Sequence, residues 1–282
     1  MSATTLALAA FAAVPAQPAP DATVLQLLDT SAHPYARCMD GSPGGFNVRD
    51  ATGARRATTY VLDFEGGGEC SNTENCAPRL SKSLGSSNHF PPTYDFSSTH
   101  FGSADEALNP DFFDANLVRL KYCSGDLWSG RRTEAWSPSG FWFSGHHIVD
   151  AILQELDSRL QTATEIIVTG ESAGGAAVYT NLDFIAARYP QAAVAGAAIA
   201  GFNNWAFPYN GTEKSSRGPA DPSWVDFREP AWAAIYDLWD PLLNEECAAY
   251  YADYPATCLV ECYKYKFVET PLFIFESQSD SV

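Results

Sequence analysis

Glu165-Ile166-Ile167-Val168-Thr169-Gly170-Glu171-Ser172-Ala173-Gly174-Gly175 is the stretch on which the fold turns. Residues 165–169, rich in β-branched side chains, read as a buried strand. After Ser172, the positions of Ala176, Val178, Leu182 and Ile185 follow a helical pattern that Pro190 stops. Between the two, the pattern G-x-S-x-G falls where a strand must bend sharply into a helix, and its flanking glycines leave room for the bend. The Ser172 hydroxyl then stands above a sheet at a helix N-terminus, which makes it the candidate nucleophile. The bare pentapeptide is common and also fits a plain glycine-rich turn, so the flanking strand and helix carry the assignment.

Working outward, apolar runs at 58–64, 116–122, 194–199 and 271–275 read as further buried strands. Residues 145–160 put Ile148, Ile152, Leu153, Leu156 and Leu160 on one face, which predicts a single amphipathic crossover helix. Strands alternating with helices predict an α/β fold with a mostly parallel central sheet flanked by helices. Two stretches break the alternation: 81–109, rich in Ser, His and Pro, and 202–262, rich in Trp and Tyr. Both are expected as loop and helix insertions that wall a pocket over the carboxyl ends of the strands.

Directly after the strand at 58–64 comes Glu65-Gly66-Gly67-Gly68-Glu69. Attack on an acyl carbonyl puts negative charge on its oxygen, and glycines let backbone N–H groups approach that charge closely. The N–H groups of Gly67, Gly68 and Ala173 are the expected oxyanion donors. No G-x-x-x-x-G-K-[ST] continuation follows, which argues against a nucleotide-binding turn.

In this architecture a triad runs Ser, then Asp or Glu, then His, with the acid just past a strand end. Asp280 meets that condition after 271–275, with Glu276 as its rival. His33, His89, His100, His146 and His147 all precede Ser172, so the base is expected beyond Val282 and the chain is read as C-terminally truncated. His146 and His147 open the predicted helix. With Asp150 they could mimic a metal pair, but packing is the preferred reading. No metal and no organic cofactor is expected.

At 282 residues, the chain has room for one large domain over 21–282, after a secretory signal or disordered tail at 1–20. With 34 acidic against 17 basic residues the formal charge is -17, which disfavours nucleic-acid partners. No later apolar run approaches the length of a membrane span. Seven cysteines and the sequon Asn210-Gly211-Thr212 fit export into an oxidising compartment, with Asn210 as the glycosylation candidate. Cys70 and Cys76 flank a short polar loop suited to a local bridge; zinc is the alternative, without a second close pair to complete it. The odd count leaves at least one of Cys247, Cys258 and Cys262 without an intrachain partner.

Four blocks in order resemble the pectin acetylesterase/Notum family of serine carboxylesterases. They are Cys38-Met39-Asp40-Gly41-Ser42-Pro43; Leu62 to Cys70 with Glu74-Asn75-Cys76; Asn109-Pro110, Asn116 and Tyr122-Cys123-Ser124-Gly125-Asp126-Leu127-Trp128-Ser129-Gly130; and Gly170 to Gly175. The similarity runs from about 38 to 280 and implies an α/β-hydrolase-like fold. It implies Ser172 as nucleophile, Asp280 as triad acid, Gly67, Gly68 and Ala173 as the oxyanion hole, and bridges Cys70 to Cys76 and Cys38 to Cys123. The implied protein is a secreted monomer of the cell wall that deacetylates polysaccharide through an acyl-enzyme. A fatty-acyl deacylase of the Notum type, or a non-catalytic binding protein on the same scaffold, are the alternatives.

Trp205, Trp224, Trp232 and Trp239 could offer flat stacking surfaces to sugars, or could simply pack. Two positions depart from the family pattern: Glu69 replaces an aromatic residue, and Glu171 a small or polar one. A carboxylate aimed inward would oppose the developing negative charge, so Glu69 is expected to face solvent.

Overall fold

The computed structural model describes residues 22–98, 101–203 and 229–277, with side chains of the last stretch from Trp232 onward. The 1–20 segment, His100, Trp205, Asn210, Trp224 and Asp280 lie outside the described residues. The strands are β1 (Ala22–Val24), β2 (Gln26–Leu27), β3 (Gly45–Arg49), β4 (Thr59–Phe64), β5 (Thr93–Asp95), β6 (Asn116–Lys121), β7 (Glu165–Glu171), β8 (Ala193–Ile199) and β9 (Leu272–Phe275). The helices are α1 (Thr73–Cys76), α2 (Gly145–Glu155), α3 (Asp157–Leu160), α4 (Ala173–Arg188), α5 (Glu229–Trp239), α6 (Glu245–Tyr250) and α7 (Glu261–Lys264).

Seven strands form one sheet in the order β2-β3-β6-β4-β7-β8-β9, while β1 pairs with β5 in a separate ribbon. From β6 to β9 every pairing is parallel; β3 runs antiparallel to β6 and β2 to β3. The sheet is therefore mostly parallel with an antiparallel margin. The five strands expected from apolar runs form its parallel part, with ends shifted by a residue or two. The margin escapes a search for apolar runs because β3 reads Gly-Phe-Asn-Val-Arg. Its polar Asn47 and Arg49 are nevertheless buried, Arg49 donating to the Phe113 carbonyl at 3.0 Å.

Strand alternation divides the interior. Tyr60, Leu62 and Phe64 of β4, Val118 and Leu120 of β6, and Ile166 and Val168 of β7 join the large core, with Ile148, Ile152 and Leu153 of α2 and Val178, Leu182 and Ile185 of α4. Val61, Leu117 and Ile167 turn to the other face, where Phe96 and Ala115 make a smaller cluster. On that second face the strand ends carry ion pairs, Arg119 with Asp63 at 2.6 Å and Lys121 with Glu65 at 2.5 Å.

The single helix expected over 145–160 is two helices. Leu156 breaks it at φ -96° and ψ 3°, yet the predicted apolar face stays buried through Leu160. The Tyr189 hydroxyl donates to the Leu153 carbonyl at 3.2 Å, an acceptor that a continuous helix would have given to the Asp157 N–H.

Candidate active site

The site begins with register. In the parallel pair of β4 and β7, Phe64 lies opposite Gly170, so the residues following the two strands emerge side by side. Those residues are Glu65 to Cys70 on one side and Ser172 on the other. A methyl group added to Gly66 would lie 3.3 Å from the Ser172 Cβ and would overlap the Glu171 carbonyl oxygen. The glycine turn and the serine therefore lie side by side at the carboxyl end of the sheet.

Ser172 is half-buried and sits at φ 57° and ψ -123°, backbone space that non-glycine residues rarely occupy. Holding it there costs on the order of 1–3 kcal/mol, which the surrounding packing must impose. The Ser172 N–H donates to the Ile199 carbonyl at 3.0 Å, and its own carbonyl accepts the first helical bond from Ala176 at 3.0 Å. At Gly174 a side chain would overlap the Phe64 carbonyl oxygen, so β4 and the start of α4 can touch only through glycine.

Across from Ser172, Gly67 and Gly68 have φ of +147° and +63°. Among the described residues, the N–H groups of Gly67 and Gly68 donate to no other group and remain available to a ligand. Ala173 opens α4, where the first N–H groups lack helical acceptors and carry the positive end of the helix dipole. Of the expected donors, Ala173 directly follows Ser172, and Gly67 and Gly68 directly follow Gly66, the glycine packed against Ser172.

Distant residues hold the glycine turn. The Glu65 carboxylate accepts from Lys121 Nζ at 2.5 Å and from the Tyr122 N–H at 2.9 Å, while the Glu65 carbonyl accepts from the Trp128 indole N–H at 3.0 Å. Trp128 and Leu127 themselves have φ of 62° and 51°. They are held by Asp126, which takes bonds from Ser124 Oγ, the Trp128 N–H and the Gly145 N–H at 2.6, 3.1 and 2.8 Å, and by Tyr122, whose hydroxyl accepts from the Leu127 N–H at 2.8 Å. Burial pushes the Asp126 carboxyl above the usual carboxylate range and the Tyr122 phenol well above its usual range. At the far end of the turn, Cys70 is bonded to Cys76, and its carbonyl accepts from the Trp239 indole at 3.0 Å. The other bridges join Cys38 to Cys123 and Cys247 to Cys258.

One expectation is corrected here, and one alternative is decided. Glu69 does not stand out into solvent: it is half-buried, and burial holds its carboxyl above the usual range against the opposing charge of Arg79. Trp232 and Trp239 are fully buried and offer no face to a sugar; the Trp239 indole is spent on the Cys70 carbonyl. Of the candidate acids, Glu276 follows β9, where its carboxylate accepts from the Phe202 N–H at 2.8 Å. His146 is buried against Phe184 and bonded to Asn181 at 2.9 Å, and burial lowers its pKa. His147 donates to the Arg131 carbonyl and His33 pairs with Glu155. Asp150, the third member of the possible metal group, is bound to Arg188 at 2.9 Å and Gln154 at 2.8 Å.

Residue spacing did not point to Trp128, Lys121 or Arg79. The available signal was their proximity to strand ends or to the Cys70–Cys76 loop, which is informative only once strand order is known.

The family model described as Pectinacetylesterase matches residues 16–282. Human palmitoleoyl-protein carboxylesterase NOTUM is 35% identical over 184 residues, covering 62% of this chain and 35% of that protein. Arabidopsis thaliana pectin acetylesterase 5 is 34% identical over 173 residues, covering 61% of this chain and 40% of its own length. The matched stretch thus spans well under half of these curated relatives. The crystal structure titled as the Wnt deacylase Notum from Drosophila superposes with a TM-score of 0.76 at 29% identity, covering 90% of this chain and 71% of that one.

Proposed function

The chain belongs to the pectinacetylesterase family, and from that membership we propose that it is a serine carboxylesterase hydrolysing O-acyl esters through an acyl-enzyme on Ser172. In this scheme the Ser172 hydroxyl attacks the ester carbonyl, and the N–H groups of Gly67, Gly68 and Ala173 receive the oxyanion. An imidazole ordered by Asp280 takes the proton and returns it to the leaving alcohol, and water then clears the acyl group. The observation that carries the proposal is the placement of a strained, half-buried Ser172 against Gly66, with unused N–H groups on the next two residues.

The proposed substrate is an acetylated cell-wall polysaccharide. The family description supports it, and a formal charge of -17 favours neutral acetylated glycans over bare polyuronates. Three disulfides fit an extracellular site of action, and no helix among the described residues is long and apolar enough to cross a membrane. The likeness to Notum supports a second reading, removal of a longer acyl chain.

A fluorophosphonate probe should label the wild type and not Ser172→Ala; labelling that persists without Ser172 removes the esterase proposal. Turnover of p-nitrophenyl acetate against the octanoate separates the two substrates. A clear octanoate preference defeats the acetyl assignment.

A further inference from the structure

Arg79 stands behind the glycine turn, in the 3₁₀ turn Ala77–Ser81 that directly follows Cys76. Because Cys76 is bonded to Cys70, the backbone carrying Arg79 is folded back onto the turn. Its Nη2 donates to the Gly67 carbonyl at 2.9 Å and reaches the Gly68 carbonyl at 3.5 Å, while Nη1 reaches the Glu69 carbonyl at 3.5 Å. The guanidinium also lies over the Tyr122 ring, 5.8 Å from its centre.

In a planar trans peptide the carbonyl and the following N–H point in opposite directions. A guanidinium that draws in the Gly67 oxygen therefore turns the Gly68 N–H away from itself. Without a Cβ, Gly68 is free to swing, so this external hold decides where its donor points. The bond also polarises the peptide and makes the same N–H a stronger donor. Lysine could hold one carbonyl but lacks the planar fork that spans adjacent ones.

We infer that Arg79 is a positioning residue that aims the Gly68 N–H into the oxyanion site, an inference about catalysis that rests on the esterase reading above. The spectroscopic test uses the 282-residue chain, and the labelling and turnover tests use a protein that carries the proposed imidazole. Glycine labelled at both the carbonyl carbon and the nitrogen gives one-bond correlations only at Gly44–Gly45, Gly66–Gly67, Gly67–Gly68 and Gly174–Gly175. In Arg79→Ala the Gly68 amide proton should move upfield and exchange faster, while the Gly44–Gly45 signal holds. Arg79→Lys should fall between, and added guanidinium should return the alanine variant towards the wild type.

Labelling of Ser172 by the fluorophosphonate should slow roughly 10- to 100-fold in Arg79→Ala. With p-nitrophenyl acetate, kcat should fall while KM holds. An unmoved Gly68 signal in folded Arg79→Ala overturns the inference whether or not Ser172 reacts. A moved Gly68 signal supports it, and if Ser172 is then inert to the probe in a protein that carries the proposed imidazole, the esterase proposal alone fails. Should Arg79→Ala lose its folded spectrum, Arg79→Lys decides by the same signal.

Discussion

The turn at Ser172 and the turn at Gly66–Gly68 lie against each other, but different forces fix them. At Ser172 the constraint is steric: Gly174 meets the Phe64 carbonyl with no room for a side chain, and a non-glycine residue is held at φ 57° by backbone on both sides. At the glycine turn nothing comparable confines Gly68, which has open space where a Cβ would be. There the shape is imposed by Arg79, Lys121 and Trp128, which reach in from other parts of the chain. Close packing restrains a turn by excluding alternatives, whereas polar bracing selects one orientation of a backbone that could adopt several.

Gly174→Ala should show the largest effect, because the added methyl must displace β4 or α4. A loss of about 3 kcal/mol in urea unfolding is expected. A loss below about 1 kcal/mol would mean that packing is not what holds the Ser172 turn.

Trp128→Phe examines the other side. It strips the Glu65 carbonyl of a buried donor and leaves a gap where the indole packed, for an expected loss of about 2 kcal/mol. Ser172 labelling should slow as well. Unchanged labelling beside reduced stability would show that Trp128 supports the core without shaping the glycine turn.

The smallest effect belongs to Glu69. Burial raises its carboxyl above the usual carboxylate range, so the folded state holds the proton more tightly than the unfolded chain does. Its stabilising contribution is therefore fully present below about pH 4.5 and is lost as pH rises through the higher folded value. Glu69→Gln should match the wild type near pH 4 and gain on it towards pH 7 in urea midpoint. The gain should stay below about 1 kcal/mol, because water still reaches this half-buried side chain. A gain that is largest in acid would reverse the sign and reject the burial account.

The parallel strands were legible because both of their faces are covered, which leaves apolar runs such as 166–168 within Glu165–Glu171. Strand β3 was not, since Asn47 and Arg49 are buried through hydrogen bonds that composition does not reveal. The same limit explains the error at Glu69 and the two open readings of Trp232 and Trp239. An indole or a carboxylate can lie inside or outside with equal local sense, and only its neighbours decide. At Leu156 an unbroken apolar face concealed a break whose freed Leu153 carbonyl is taken by Tyr189, which lies well ahead along the chain.

By itself the sequence determined the strand, the bend at Ser172 and the helix after it, together with the glycines able to expose N–H groups. Those features depend on sterics between residues a few positions apart, and local sterics are written directly in residue type. Only the tertiary structure decided that the two turns meet, through the pairing of Phe64 with Gly170, and that Arg79, Lys121 and Trp128 brace one of them. Strand order and long-range hydrogen bonds depend on how the whole chain buries its apolar surface, and no short stretch of residues contains that information.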